Sequence, residues 1–253
     1  MSGVKQKKGS AKKKNYMRVF WRLTLKLVLT LFLLSVAWVL LYRWVSPPAT
    51  LHMIERRAEA GKADKKEPAI RYQFVELEEV SQQVPLALIA AEDQRFFDHF
   101  GFDFDAMKKA FEKNRKGKKI AGGSTISQQV AKNVFLWHGR SYFRKAVEAY
   151  FTVLIEVLWG KKRILEVYMN IAEMGDQVFG VEAAAQKYFG TSAKNLNRYQ
   201  AARIAAVLPN PIKFSVSNPS GYVVRSQSRI MRNMRRLGGT TYLAPLNLDE
   251  SKN

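Results

Sequence analysis

Glu92 and Asp93 close the apolar run LALIAAED. A carboxylate at a helix C-terminus opposes the macrodipole, at a cost of ~0.3–1 kcal/mol, and its pKa rises. That placement suits a general base. A solvated acid paired with Arg95 would give the same pattern, and the residues alone leave both readings open. His99 follows in the same segment, AAEDQRFFDHFG, where a lone imidazole is more often structural than catalytic. A second polar segment is AGGSTISQQVAKN, residues 121–133. Two glycines precede Ser124 and Thr125, which suit a helix N-cap, and the free amides of a helix start attract anions. Ser124, Gln128 and Lys132 recur every four residues, so one helix face offers a hydroxyl, an amide and a cation, as a sugar phosphate would need. Gln129 and Asn133 widen that face, although a capped surface helix would look alike. The third segment, RSYFRKAVEAYF, sets Arg140, Arg144 and Glu148 at four-residue steps, with Lys145 three before Glu148. On a solvated helix this is an ion-pair ladder of small energy. The stretch that follows is nearly all apolar, and a mostly buried helix keeps charges only where they face a cleft.

The elements that must position these groups are helical. Apolar residues at three- and four-residue spacing predict helices over 84–97, 104–115, 124–135, 142–159, 163–174, 181–188, 199–208 and 222–237. Glycines and prolines separate them, among them Gly101, Gly117, Gly139, Gly160, Gly175, Gly190 and Pro209. A strand is plausible only near 72–77. The expected fold is therefore mainly α, with one domain over 71–240, a charged linker over 46–70 and a short tail over 241–253.

Of the 253 residues, 42 are Lys or Arg and 21 are Asp or Glu, so the net charge is +21. The excess points to an anionic partner: nucleic acid, a membrane surface or a phosphorylated substrate. With no cysteine, the chain holds no disulfide, thiolate nucleophile or Cys-ligated metal. Residues 1–22 are a basic tail without a single acid. The segment from Leu27 to Tyr42 has no charge, and 23–45 is long enough to span a membrane, with Trp21, Tyr42 and Trp44 where interfacial aromatics would sit. A buried core helix and a cleaved signal peptide are the rival readings, but SPPATLHM lacks a small-x-small cleavage site. The positive-inside rule keeps the tail cytoplasmic and puts the rest across the membrane, where no nucleic acid awaits it.

The three polar segments resemble the motifs of the bacterial peptidoglycan glycosyltransferases, the lysozyme-like domain also found in class A penicillin-binding proteins. Glu92-Asp93, Phe96, His99 and Gly101 match the first motif, GGSTISQQVAKN the second, and Arg144-Lys145 with Glu148 the third. KKRILEVYMN (161–170) and AARIAAVLPNP (201–211) resemble the fourth and fifth, in family order. Ser127 and Gln200 depart from the commoner threonine and glutamate. SDN and KTG boxes are absent and 42 residues follow Pro211, so a transpeptidase domain is not expected.

The resemblance implies a lysozyme-like fold behind one transmembrane helix, and an enzyme that polymerises lipid II into β-1,4-linked glycan with release of undecaprenyl diphosphate. It implies Glu92 as general base and Glu148 as a second catalytic glutamate that orients the basic cluster or helps bind a metal. Asp93, Phe96, Ser124, Thr125, Gln128, Gln129, Lys132, Asn133, Arg144 and Lys145 are then expected to bind substrate; Arg140 joins them by its place on the helix face. A divalent cation (Mg²⁺ or Mn²⁺) and partnership with other cell-wall synthases are implied, as is a bacterial inner membrane with the catalytic domain in the periplasm. The apolar run between Met107 and Leu136 is expected to dip into the outer leaflet. The rival functions are a lysozyme-like hydrolase using Glu92 and Glu148, a non-enzymatic scaffold, and a nucleic-acid binder.

Overall fold

The computed structural model describes residues 7–62, 70–115, 117, 122–137, 139 and 141–248. They fall in two compact units, Met1–Trp44 and Val45–Asn253.

The first unit is one helix, α1 (Lys7–Trp44). Within it, Tyr16–Trp44 spans 29 residues and is the one helix, among the described residues, long and apolar enough to cross a membrane. At ~1.5 Å per residue it is ~43 Å long, against a hydrocarbon core of ~30 Å. Leu23, Leu27, Leu31 and Leu41 are exposed along it, as they would not be in a core helix.

The second unit is mainly helical. Its centre is α3 (Gln83–Glu92), in which every residue from Val84 to Ala90 is buried. Pro85 is tolerated in the first turn, where its missing N–H would have had no helical partner. Burying each of Val84, Leu86, Leu88 and Ile89 contributes ~1.5–3 kcal/mol. α3 packs on α9 (Arg198–Ala205) and α10 (Gly221–Arg236), and a second group forms around α5 (Ile126–Phe135), which packs on α6 (Tyr142–Leu158) and α7 (Gly160–Ile171). Contacts between α3 and α7 join the groups. α4 (Phe104–Arg115) carries Phe104 and Phe111 exposed, and α8 (Val181–Phe189) follows a small sheet.

That sheet has the order β1-β3-β2, with β1 (Arg71–Tyr72) parallel to β3 (Val178–Phe179) and β2 (Glu173–Gly175) antiparallel to it. Its formation shortens the helix expected over 163–174. The chain leaves α7 at Ala172, and Gly180 returns at φ +83°, where a Cβ would lie 2.6 Å from the Asn170 carbonyl oxygen. The helix expected over 84–97 also stops early, at Glu92. Asp93 donates its N–H to Ile89 but turns its carboxylate to Ile126 N and His99, and those bonds outweigh helix propensity.

The stretch expected to be a linker contains α2 (Leu51–Lys62). Met53 and Ala60 are buried, and α2 packs on α5. Arg56 fixes it to the sheet: Nε donates to Glu173 at 3.0 Å and Nη2 to Asp176 at 2.9 Å. Glu173 has a side chain only 5 % exposed, so losing its guanidinium leaves a buried charge short of donors. Arg56→Ala is expected to cost ~2–3 kcal/mol. In thermal denaturation this reads as a melting temperature roughly 5–10 °C lower; an unchanged midpoint would show that residues 51–62 do not dock.

Candidate active site

Glu92 is the last residue of α3 and lines a cleft with Asp103, Asp105, Gly123 and Ser124. Its Oε2 accepts a hydrogen bond from Gln129 Nε2 at 2.8 Å. Tyr168 OH donates to the other end of the same amide, Gln129 Oε1, at 3.4 Å. This polar chain fixes which way the Gln129 amide faces. Burial raises the Glu92 pKa above the ordinary carboxylate value; the Gln129 bond and the charges of Arg229 and Lys132 partly offset it, and Asp93 adds to it. Burial therefore comes first, where the sequence suggested the helix end. Tyr168 is fully buried, and burial with the nearby Glu92 and Asp93 pushes its phenol well above the usual range.

Asp93 faces the other way. Its Oδ2 accepts from Ile126 N at 3.0 Å, and its carboxylate meets His99 Nε2 at 3.0 Å. Phe96 is fully buried, with Lys161 Nζ 4.7 Å from its ring centroid. Thr125 is the N-cap of α5: its Oγ1 accepts from Gln128 N, and Gln128 Oε1 accepts from Thr125 N. Such a capping box stabilises a helix start by ~1 kcal/mol. Of the residues expected to bind substrate, Asp93, Phe96, Thr125 and Gln128 are buried and make the bonds and contacts just described, and Asp93 and Thr125 also line the cleft. Ser124 precedes α5 and is exposed at the cleft. On α5 itself it is Gln129 that bonds Glu92, while Lys132, three residues on, acts on it through its charge. Asn133 lies next to Lys132, half-buried.

The basic cluster sits at the start of α6, which Ser141 caps. Arg144 Nη1 donates to Glu148 Oε2 at 3.1 Å, and Lys145 Nζ pairs with Glu148 Oε1. Glu148 is buried. Burial lowers the Lys132 pKa, Glu148 acts against that, and Arg144 and Lys145 add to it, so Lys132 lies within electrostatic reach of the whole cluster and of Glu92. Arg140 falls outside the described residues.

A group without any assigned role from the sequence ties these parts together. Glu156 Oε1, on α6, accepts from Ser127 Oγ at 2.5 Å and from Lys161 Nζ at 2.7 Å. Thr152 Oγ1, one turn before it, donates to the Glu148 carbonyl. The loop from Asp93 to Gly101 closes on them. Gly101 has φ +78°, and a Cβ there would lie 2.7 Å from Thr152 Cγ2. Lys161 and Tyr168 stand in the fourth motif, so their importance had a signal in the sequence; Glu156 had none beyond one acid in an apolar run. Ser127→Ala removes a buried bond to a charged acceptor and is expected to cost ~1.5–3 kcal/mol. Chemical denaturation measures this, and a loss under ~0.5 kcal/mol would mean that the bond does not form.

The implied divalent cation finds no protein cage. Glu148, the carboxylate considered for it, already has a cation on each oxygen, and the described residues contain no group of three His, Asp or Glu side chains placed to hold a metal. These donors do not fit a protein-held divalent ion, which needs several free oxygens.

The transglycosylase family profile matches residues 61–235, which include every group described above. The chain is 52 % identical to the biosynthetic peptidoglycan transglycosylase of Pasteurella multocida over 215 residues, covering 85 % of this chain and 86 % of that protein. It is 52 % identical to the protein of the same name from Caulobacter vibrioides (83 % and 90 % covered), and 47 % identical to that of Xylella fastidiosa (88 % and 92 % covered). A half-buried carboxylate and a cation cluster, linked through one helix, thus coincide with a sequence match over most of the chain, and the chain belongs to the transglycosylase family.

Proposed function

We propose that this enzyme is a peptidoglycan glycosyltransferase that polymerises lipid II, with Glu92 as general base. The observation that carries this reading is the single α5 helix that holds Gln129 on Glu92 and carries Lys132 within electrostatic reach of both Glu92 and the Glu148 cluster. In the reaction, the growing chain is the donor, joined through C1 of its terminal muramyl sugar to undecaprenyl diphosphate. The 4-hydroxyl of the acceptor's GlcNAc attacks C1. Glu92 takes the hydroxyl proton as the bond forms, and the diphosphate leaves with its bonding electrons. One displacement turns an α link into a β-1,4 link.

A sugar hydroxyl is a very weak acid, so the base must be close and stronger than an ordinary carboxylate. The raised pKa of Glu92 meets the second need. The leaving diphosphate departs as an anion and needs charge rather than a proton. Lys132, Arg144 and Lys145 supply it. The hydrolase alternative needs a second carboxyl group as acid or nucleophile. Glu148 has both oxygens taken by cations, which favours the transferase.

Both substrates are lipid-linked, and α1 is read as a single-pass anchor with its basic N-terminal end in the cytoplasm. The outer leaflet would be met by exposed apolar residues: Phe104 and Phe111 on α4, then Trp137, Tyr142 and Phe143. Within the run from Met107 to Leu136, Val130, Val134 and Phe135 are buried, so only α4 and the flanking aromatics are available. Replacing both Phe104 and Phe111 by Ser is expected to raise the KM for lipid II in bilayers several-fold and to leave it unchanged in detergent; equal KM values in bilayers would remove this contact.

Glu92→Gln separates chemistry from stability. The amide cannot accept the proton, so polymerisation should fall by roughly 10²–10⁴-fold. A carboxyl whose pKa is raised by folding destabilises the fold at pH above its unfolded value and not below it. At neutral pH the variant should therefore be at least as stable as the wild type. The same shift moves the acid limb of the pH–rate profile above the ordinary glutamate range. Polymer gel electrophoresis with purified protein and lipid II tests this, and full activity of the variant, or soluble disaccharide as the wild-type product, would sink the mechanism.

A further inference from the structure

α10 carries Arg225, Arg229, Arg232 and Arg236 at steps of four, three and four residues, so all four share one helix face. All four are exposed, and among the described residues none forms an ion pair with a carboxylate. The opposite face is the core: Val223, Ile230 and Met234 are buried. The row is ~16 Å long at ~1.5 Å per residue. Its position is fixed against α3, since Asn233 Nδ2 donates to the Ala90 carbonyl at 3.1 Å. Arg229 is one turn before Asn233, and Glu92 is two residues after Ala90. The charge of Arg229 accordingly acts on Glu92.

The cations proposed for the diphosphate are on α5 and α6, and the α10 row lies on a separate helix. Arg229 Nη2 donates to Ser226 Oγ at 3.1 Å, and the four guanidiniums in line, none of them in an ion pair among the described residues, fit carboxylates, which arginine binds in bidentate fashion. On the reading of Glu92 as the base for the acceptor, the acceptor's GlcNAc sits at the end of α3. The muramyl sugar joined to it carries a peptide, which ends in a free carboxylate. We propose that the Arg225–Arg229–Arg232–Arg236 face of α10 is a docking track for the carboxylates of the acceptor's peptide. An anionic lipid surface is a weaker match. A helix that binds a bilayer inserts its apolar face, and that of α10 is buried against α3 and α9.

The test uses the full-length enzyme with Arg225, Arg232 and Arg236 changed to Gln; Arg229 stays, because it acts on Glu92. Two substrates are compared: lipid II with its peptide carboxylates free, and lipid II with them amidated. Loss of exposed, solvent-screened charge contacts predicts a KM for the free-carboxylate substrate raised roughly fivefold, with kcat within about twofold. Half-molar salt should shrink that difference. For the amidated substrate, wild type and variant should share one raised KM. An equal effect on both substrates, or none on either, overturns the track. A KM change seen only in bilayers containing anionic lipid, and absent in neutral detergent, assigns the row to lipid headgroups and overturns it too. Wild-type enzyme that makes no polymer from either substrate overturns the lipid II reading itself, and the track with it.

Discussion

Everything at the site depends on how α3 ends. Asp93 leaves the helix and accepts a hydrogen bond from Ile126 N, at the first residue of α5. That N–H is one of the four a helix start leaves without a partner, and a buried acid satisfies it. The same carboxylate holds His99. Thr125 Oγ1, one residue earlier, donates to the Gly101 carbonyl, so the loop after α3 is held to α5 at both ends. From this anchor α5 acts as a ruler. One turn past Ile126 comes Gln129, bonded to Glu92, and the next turn brings Lys132 within electrostatic reach of Glu92 and Glu148. A shift of α5 by one residue would break all three relations together.

The electrostatics follow from that spacing. Glu92 is costly where it sits, because burial opposes its charge and Asp93 is a like charge next to it. Lys132 and Arg229 offset part of the cost from two sides. The cation cluster has the opposite difficulty. Lys132, Arg144 and Lys145 repel one another, and burial already lowers the Lys132 pKa. Glu148 is the counter-ion that makes the cluster tolerable. Read as a transferase, the site has Glu148 hold the cations in place until a diphosphate arrives to share them. The donors are fixed before the substrate comes, which is what makes them effective when charge develops.

Helices whose limits depend on their own residues were legible in the sequence. α4 and α10 start and stop within a residue of the expected positions, because amphipathic spacing and local breakers decide them. The misplaced limits depend on distant residues. Nothing between residues 84 and 97 says that Asp93 will be taken by Ile126, 33 residues on. Nothing in residues 51–62 says that Arg56 will meet Glu173 and Asp176 more than a hundred residues later. The site shows the same division. Four-residue spacing correctly groups Arg144 with Glu148. It also groups Ser124, Gln128 and Lys132, but Gln128 is needed to close the cap, and the side chain that reaches Glu92 belongs to its neighbour, Gln129. A capping box and a polar face share the same letters.

The network around Glu156 explains why the two halves of the proposed site keep their separation. Glu148, Thr152 and Glu156 lie at four-residue steps along α6, so a restraint on one end of that face restrains the other. Glu156 is held by Ser127 from α5 and by Lys161 from α7, while Thr152 closes on the Gly101 loop that begins at Asp93. The loop end of α3, the ruler α5 and the cation helix α6 are therefore three sides of one frame. Glu156 is a buried acid with two donors, and removing either donor leaves it under-satisfied, so the frame resists displacement of α5 and α7 from this face of α6. General-base transfer and charge stabilisation of a leaving group must act in the same displacement. Fixed spacing between the residues proposed for them is the mechanical condition that the proposed chemistry imposes, and it is met by residues that touch neither substrate.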